Sequence, residues 1–91
     1  MITMDKFKLL QKTADVVRDR GESYGSILDN HTRISRLWSV LLNIEVTPEQ
    51  VALCMIAVKQ ARLMETPDHE DSIQDILGYA LTYHECINGK K

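Results

Sequence analysis

The sequence predicts an all-α protein, a four-helix antiparallel bundle made by one domain over residues 1–91. Three observations carry that prediction. Apolar residues recur three and four positions apart in four separate stretches, the spacing that lays one stripe along a helix. Thr47-Pro48 and Thr66-Pro67 each join a capping hydroxyl to a proline suited to the first helical position. Gly21, Asn43 and Asn88-Gly89 follow periodic stretches as stop signals. Helices are expected at about 5–20, 31–42, 48–64 and 68–87.

The first helix places Phe7, Leu10, Ala14 and Val17 on one stripe, flanked by Leu9, Thr13 and Val16, with a charged outer face. Residues 21–30 carry two glycines and an Asp29-Asn30 end, and they read as a loop leading to an N-cap. Such a loop exceeds the usual four to six residues and is a place to look for function. The second helix presents Ile34, Leu37, Trp38 and Leu41 on one face. Thr47 and Gln50 form a capping box at the start of the third, the strongest local signal in the chain. Residues 51–58 are apolar all round, so this helix is expected to be enclosed by neighbours or by a partner subunit. In the fourth, Asp68, Glu70 and Asp71 suit the positive end of the helix dipole, and Ile73, Ile76, Leu77, Ala80, Leu81 and Ile87 keep helical spacing.

Hydrophobic residues at 44% and charged residues at 26% give a globular balance. A net charge of −2 argues against a surface that coats nucleic acid. No apolar run approaches the roughly 20 residues that span a bilayer, and residues 1–6 lack a secretory apolar region, so no membrane partner and a cytoplasmic location are expected. Cys54 and Cys86 lie in apolar helical patterns without metal-ligand spacing, and both read as buried thiols. Met55 and Met64 read as core filling. A chain this short holds a modest core, which favours a homodimer or larger assembly.

Arg20-Gly21, Tyr24-Gly25, Asn30-His31, Arg33-Ile34, Leu37-Trp38-Ser39, residues 59–63 (KQARL) and residues 71–79 (DSIQDILGY) resemble, as an ordered set over about 13–86, a family of small phage and prophage proteins. If phage-encoded, the protein would work in the host cytoplasm. More distantly the chain is similar to the MazG-like all-α nucleotide pyrophosphatases, whose bundles oligomerise and hold magnesium through acidic motifs on adjacent helices. That resemblance implies a MazG-like bundle and a nucleotide-like ligand. The magnesium chemistry needs several convergent carboxylates, and here the third helix has Lys59 and Arg62 where acids would stand. Asp71 and Asp75 share a face of the fourth helix with Glu70 beside them, one pair where a cage is needed.

The ligand-binding candidates follow from these departures. Lys59 and Arg62 suit phosphate, Arg62 as a two-pronged donor and Lys59 as a point charge; alternatively Asp71 and Asp75 simply neutralise them across the helix interface. Asn30, His31 and Arg33 would add to the anion affinity of a helix N-terminus, or Asn30 only caps while the others lie in solvent. Tyr24 would stack on a base if its loop folds over the bundle end; Trp38 fits the core better. Gly78 implies close helix packing or ligand approach beside Tyr79. No catalytic residue, metal ligand or cofactor is assigned, because no nucleophile constellation or phosphate-cradling loop is present.

The leading expectation is a homo-oligomeric phage-type protein that binds a nucleotide or nucleotide-derived small molecule without hydrolysis, sequestering a host defence signal. A magnesium-dependent pyrophosphohydrolase using Glu70, Asp71 and Asp75 is the enzymatic alternative. A non-enzymatic oligomeric interaction module is the third reading.

Overall fold

Asp5 opens the first helix by accepting hydrogen bonds at one carboxylate oxygen from the backbone N–H of Phe7 and Lys8, each at 2.9 Å. In this computed structural model, which describes residues 5–24 and 26–89 and only the backbone of 23 and 24, the element order is α1 (Lys6–Tyr24), α2 (Ile27–Leu42), α3 (Pro48–Glu65) and α4 (Glu70–Asn88). No strand occurs among the described residues. The all-helical expectation therefore holds, and no helix is long and apolar enough to cross a membrane.

The expected loop over 21–30 is replaced by helix on both sides. Gly21 does not take left-handed backbone, so α1 continues through it to Tyr24. Ser26 caps α2, accepting from Asp29 N at 3.2 Å, so the helix begins four residues earlier than expected and Asn30 is internal to it. The α2 stop does fall at Asn43, which adopts the left-handed conformation (φ 56°) that asparagine tolerates. The capping box forms as expected, with Thr47 N donating to Gln50 Oε1 at 2.9 Å and Gln50 N to Thr47 Oγ1 at 3.2 Å. At the next junction Thr66 closes α3 instead of opening α4, donating its N–H to Arg62 O at 2.9 Å. Pro67 and Asp68 form a turn, and α4 starts after His69, whose Nδ1 lies 2.7 Å from Ser72 Oγ.

Packing is organised around α3 against α4; α2 lies across both, and α1 rests chiefly on α4. The buried apolar residues are Leu9, Val51, Ala52 and Cys86. Hydroxyl residues fill much of the remaining interior. Thr13 donates to Leu9 O at 2.8 Å, Ser35 to Thr32 O at 2.7 Å and Thr82 to Gly78 O at 3.1 Å. Each of these three hydroxyls is thereby satisfied by its own helix, which removes the cost of taking it from water.

This interior reassigns several faces. On α1 the buried line is Leu9 and Thr13, while Phe7 and Leu10 face outward. On α2 it is His31 and Ser35, with Leu37 and Leu41 exposed and Trp38 half-buried. The apolar segment of α3 is enclosed on one side only, leaving Leu53, Val58 and Met64 exposed, so Met64 does not fill the core. Cys54 is likewise exposed, whereas Cys86 is buried as expected. On α4, Leu81 and Ile87 are exposed, and Ser72, Thr82 and Cys86 point inward.

Candidate functional site

A cleft of about 650 Å³ lies between α1 and α4, closed at its sides by the start of α2 and by Lys59 of α3. Its floor forms where Gly78 faces Val17; a methyl group placed on Gly78 would meet Val17 Cγ2 at 3.6 Å, an ordinary contact. Helix α4 gives the cleft a row of side chains on one face: Gln74, Asp75, Tyr79, Thr82 and Glu85. Asp75 and Glu85 lie ten positions apart on α4. That is about 15 Å along the helix axis. Opposite stand Thr13, Val16, Val17, Arg18 and Arg20 of α1.

Charge in the cleft is mixed. Lys59 Nζ lies 3.1 Å from Asp75 Oδ2, and both side chains are about two-thirds buried, at 29% and 33% exposure. Arg18 reaches Asp15 at 3.3 Å on the exposed rim, and Arg20 is exposed beside it. Ser26 and Ile27 bring the N-terminal end of α2 to the cleft wall, where helix N–H groups and the dipole favour an anion. Thr13 and Thr82 have committed their hydroxyl hydrogens to backbone carbonyls, so they offer acceptor lone pairs alone.

The candidates named from sequence separate into groups. Lys59, Asp75 and Tyr79 line the cleft together. Arg62 and Asp71 are exposed, so of the two expected cross-helix pairs only Lys59 with Asp75 is formed. Asn30 and Arg33 are exposed on α2 while His31 turns inward, so the three do not cluster at a helix N-terminus; the true N-terminus is at Ser26. The side chain of Tyr24 lies outside the described residues. Trp38 stays away from the cleft, on the half-buried side of α2.

His31 is 3% exposed and its ring centroid lies 6.4 Å from that of Tyr79, tilted by 57°. Its Nδ1 is 3.2 Å from Ile27 O, which places the proton on Nδ1 and a lone pair on Nε2. Nε2 has no hydrogen-bond partner among the described residues. Burial lowers the pKa below the ordinary histidine value, partly opposed by the Ile27 carbonyl. The neutral ring thus backs the aromatic wall of the cleft.

Sequence reasoning missed Arg18, Thr13, Gln74, Thr82 and Glu85. Helical register could have found Thr13, Gln74 and Thr82, each three or four positions from Val17, Gly78 or Tyr79, and Glu85, three beyond Thr82; Arg18 carries no such signal. Among the described residues no three His, Cys, Asp or Glu side chains gather where they could hold a metal ion. Glu70 and Asp71 lie at the start of α4, outside the cleft, and Asp75 is engaged by Lys59.

Residues 8–87 match a domain of unknown function, DUF6378. The chain belongs to the DUF6378 family. It is similar to the Gene 55 protein of Mycobacterium phage L5, 47% identical over 62 residues that cover 67% of this chain and 40% of that protein. The Gene 55 protein of Mycobacterium phage D29 is 36% identical over 76 residues, covering 79% of this chain and 50% of its own length. This DUF6378 chain therefore spans half or less of the curated relatives it matches. No solved structure matches it.

Proposed function

We propose that this chain binds a nucleotide or nucleotide-derived small molecule in the α1–α4 cleft and does not hydrolyse it. The observation that carries the reading is the Lys59–Asp75 pair inside the cleft. It takes up the one α4 carboxylate that faces the cavity at that end, so the carboxylate is a partner for a cation and for ligand donors, not part of a magnesium cage. A phosphate competes with Asp75 for Lys59 and draws further on Arg18, Arg20 and the α2 N-terminus. Tyr79 and the Val16–Val17 wall accept a base or sugar face, and Gln74 supplies polar readout. The relatives in two mycobacteriophages support a role in infected cells, where an uncleaved ligand suits a protein that sequesters a host nucleotide signal. A MazG-like arrangement of the helices is part of the same proposal.

Titration calorimetry against a panel of nucleoside mono-, di- and triphosphates and cyclic dinucleotides, with and without chelator, tests the reading. Binding that survives chelator, yields intact nucleotide afterwards and drops at least tenfold in Lys59→Met is expected. Magnesium-dependent release of phosphate or pyrophosphate would overturn it in favour of a hydrolase.

A further inference from the structure

Large apolar side chains stand exposed on α2 and α3. Leu37, Val40 and Leu41 of α2 are 68%, 83% and 80% exposed, and Ile44 continues their line past the end of the helix. Helix α3 adds Leu53, Val58 and Met64, all at least half exposed. Between those three, Cys54, Ala57 and Ala61 are also exposed. Cys54, Ala57, Ala61 and Met64 follow a three-four-three spacing, a straight seam along one side of the helix. Lys59, which belongs to the cleft, lies on the opposite side of α3.

We infer that these faces of α2 and α3 form the contact between two copies of this chain. Area supports a second copy. A folded monomer of 10.4 kDa is expected to expose about 5,400 Å². This chain exposes 6629 Å², an excess of about 1,200 Å² over that scaling. A standard interface takes about 800 Å² from each partner, so the excess covers one such contact. Shape agrees: the radius of gyration is 14.1 Å, where a compact chain of this length has about 12 Å.

The centre of the patch suits its own copy: residues 37–44 and 50–58 contain no Asp, Glu, Lys, Arg or His, and the exposed charges Arg33, Arg62 and Glu65 lie toward its ends. The small residues at 54, 57 and 61 let two α3 helices approach closely, while Leu53 and Val58 flank the seam and Met64 closes its end. Antiparallel pairing of α3 with its copy also opposes the two helix dipoles. The exposed end of α2 then closes over the side of the contact, which gives the apolar run at 51–58 the enclosure it lacks in a single chain.

Analytical ultracentrifugation over a broad concentration range, with thiol labelling by a chromogenic disulfide, tests the inference. The wild-type chain is expected at twice the 10.4 kDa monomer mass or a larger even multiple. Its Cys54 should label at least tenfold more slowly than in Ala57→Arg or Leu41→Glu, both expected as folded monomers by circular dichroism. A wild-type monomer whose Cys54 labels freely overturns it. So does a multimer that both substitutions leave intact, because another face, such as Phe7 and Leu10 of α1, then carries assembly. If either variant fails to fold, the wild-type mass and the protection of Cys54 relative to urea-denatured protein still decide the question.

Discussion

Replacing Gly21, Gly78 and Gly89 in turn by alanine should move stability in opposite directions, because the three positions meet different surroundings. Gly78 lies inside α4, where glycine costs about 1 kcal/mol relative to alanine through backbone entropy. The new methyl group would sit 3.6 Å from Val17 Cγ2, a contact that attracts. Gly78→Ala should therefore stabilise the fold by about 1 kcal/mol, or about 4–8 °C in a domain of this size. Gly21→Ala, with nothing within 4 Å and near the end of α1, should gain about half as much. Gly89 is the contrary case. A methyl group there would run into Leu28 Cδ2 and lie 3.2 Å from Glu85 O. Leu28 would have to leave its rotamer, at a cost of about 0.5–1.5 kcal/mol, loosening the α2 start from the α4 end. Urea unfolding followed by far-ultraviolet circular dichroism, at one fixed protein concentration, reads all three. A loss of stability in Gly78→Ala would mean that α1 lies closer to α4 than 3.6 Å allows, and the cleft floor described above would be wrong. Nucleotide affinity in the same variant separates packing from ligand approach, since a ligand lying on Gly78 loses room that the fold does not need.

Lys59→Met strands a half-buried carboxylate and should cost about 1–2 kcal/mol, with a favourable coupling in the double cycle with Asp75→Asn; zero coupling would mean the pair contributes nothing. Burial disfavours the charged form of His31, so the folded protein binds fewer protons than the unfolded chain once pH falls toward and below 6.5. Stability from this group is complete above the unfolded pKa and is lost as pH drops toward the lowered folded pKa; thermal unfolding of wild type and His31→Gln between pH 5 and 8 should show a shallower acid slope in the variant. Ser39 Oγ accepts from Val46 N at 2.9 Å while donating to Ser35 O at 2.7 Å, tying the α2–α3 loop down. Ser39→Ala should cost about 1–2 kcal/mol by leaving the Val46 N–H without that partner, measured by the same urea titration.

The parts of the fold legible in sequence were those with local chemical causes. The Thr47–Gln50 capping box and the Asn43 stop depend on neighbouring residues alone, and both formed where they were read. Gly21 and Asn30 failed as boundary signals for a local reason too. Glycine permits a stop without requiring one, and Ser26 competes with Asn30 for the cap with an oxygen already placed at Asp29 N. Lys59, Asp75 and Tyr79 were found because charge and aromaticity mark them, and their meeting in one cleft is a property of the α3–α4 packing. Thr13 and Thr82 carry no such mark. Nothing local distinguishes a threonine that bonds its own helix inside a core from one that bonds water outside it.

The faces of α2 and α3 were misassigned together, and the inferred contact between copies accounts for both. Apolar periodicity records which side of a helix leaves water in the working state of the protein, whether its neighbour is the same chain or another. Inside one chain that rule selects Leu9, Val51 and Ala52, and hydroxyls fill the rest because they can bond i−4 carbonyls. Leu37, Leu41, Leu53 and Met64 obey the same periodicity but have no partner within the chain. A sequence under pressure only to fold alone would place them inward or make them polar, as an exposed apolar patch of this size favours aggregation. Their retention, in stretches at 37–44 and 50–58 that carry no charge, fits the inferred interface between copies. The cleft lies on the other side of α3, so assembly and ligand binding can be broken separately: Ala57→Arg should yield a monomer that still binds nucleotide, and Lys59→Met a dimer that binds it at least tenfold more weakly.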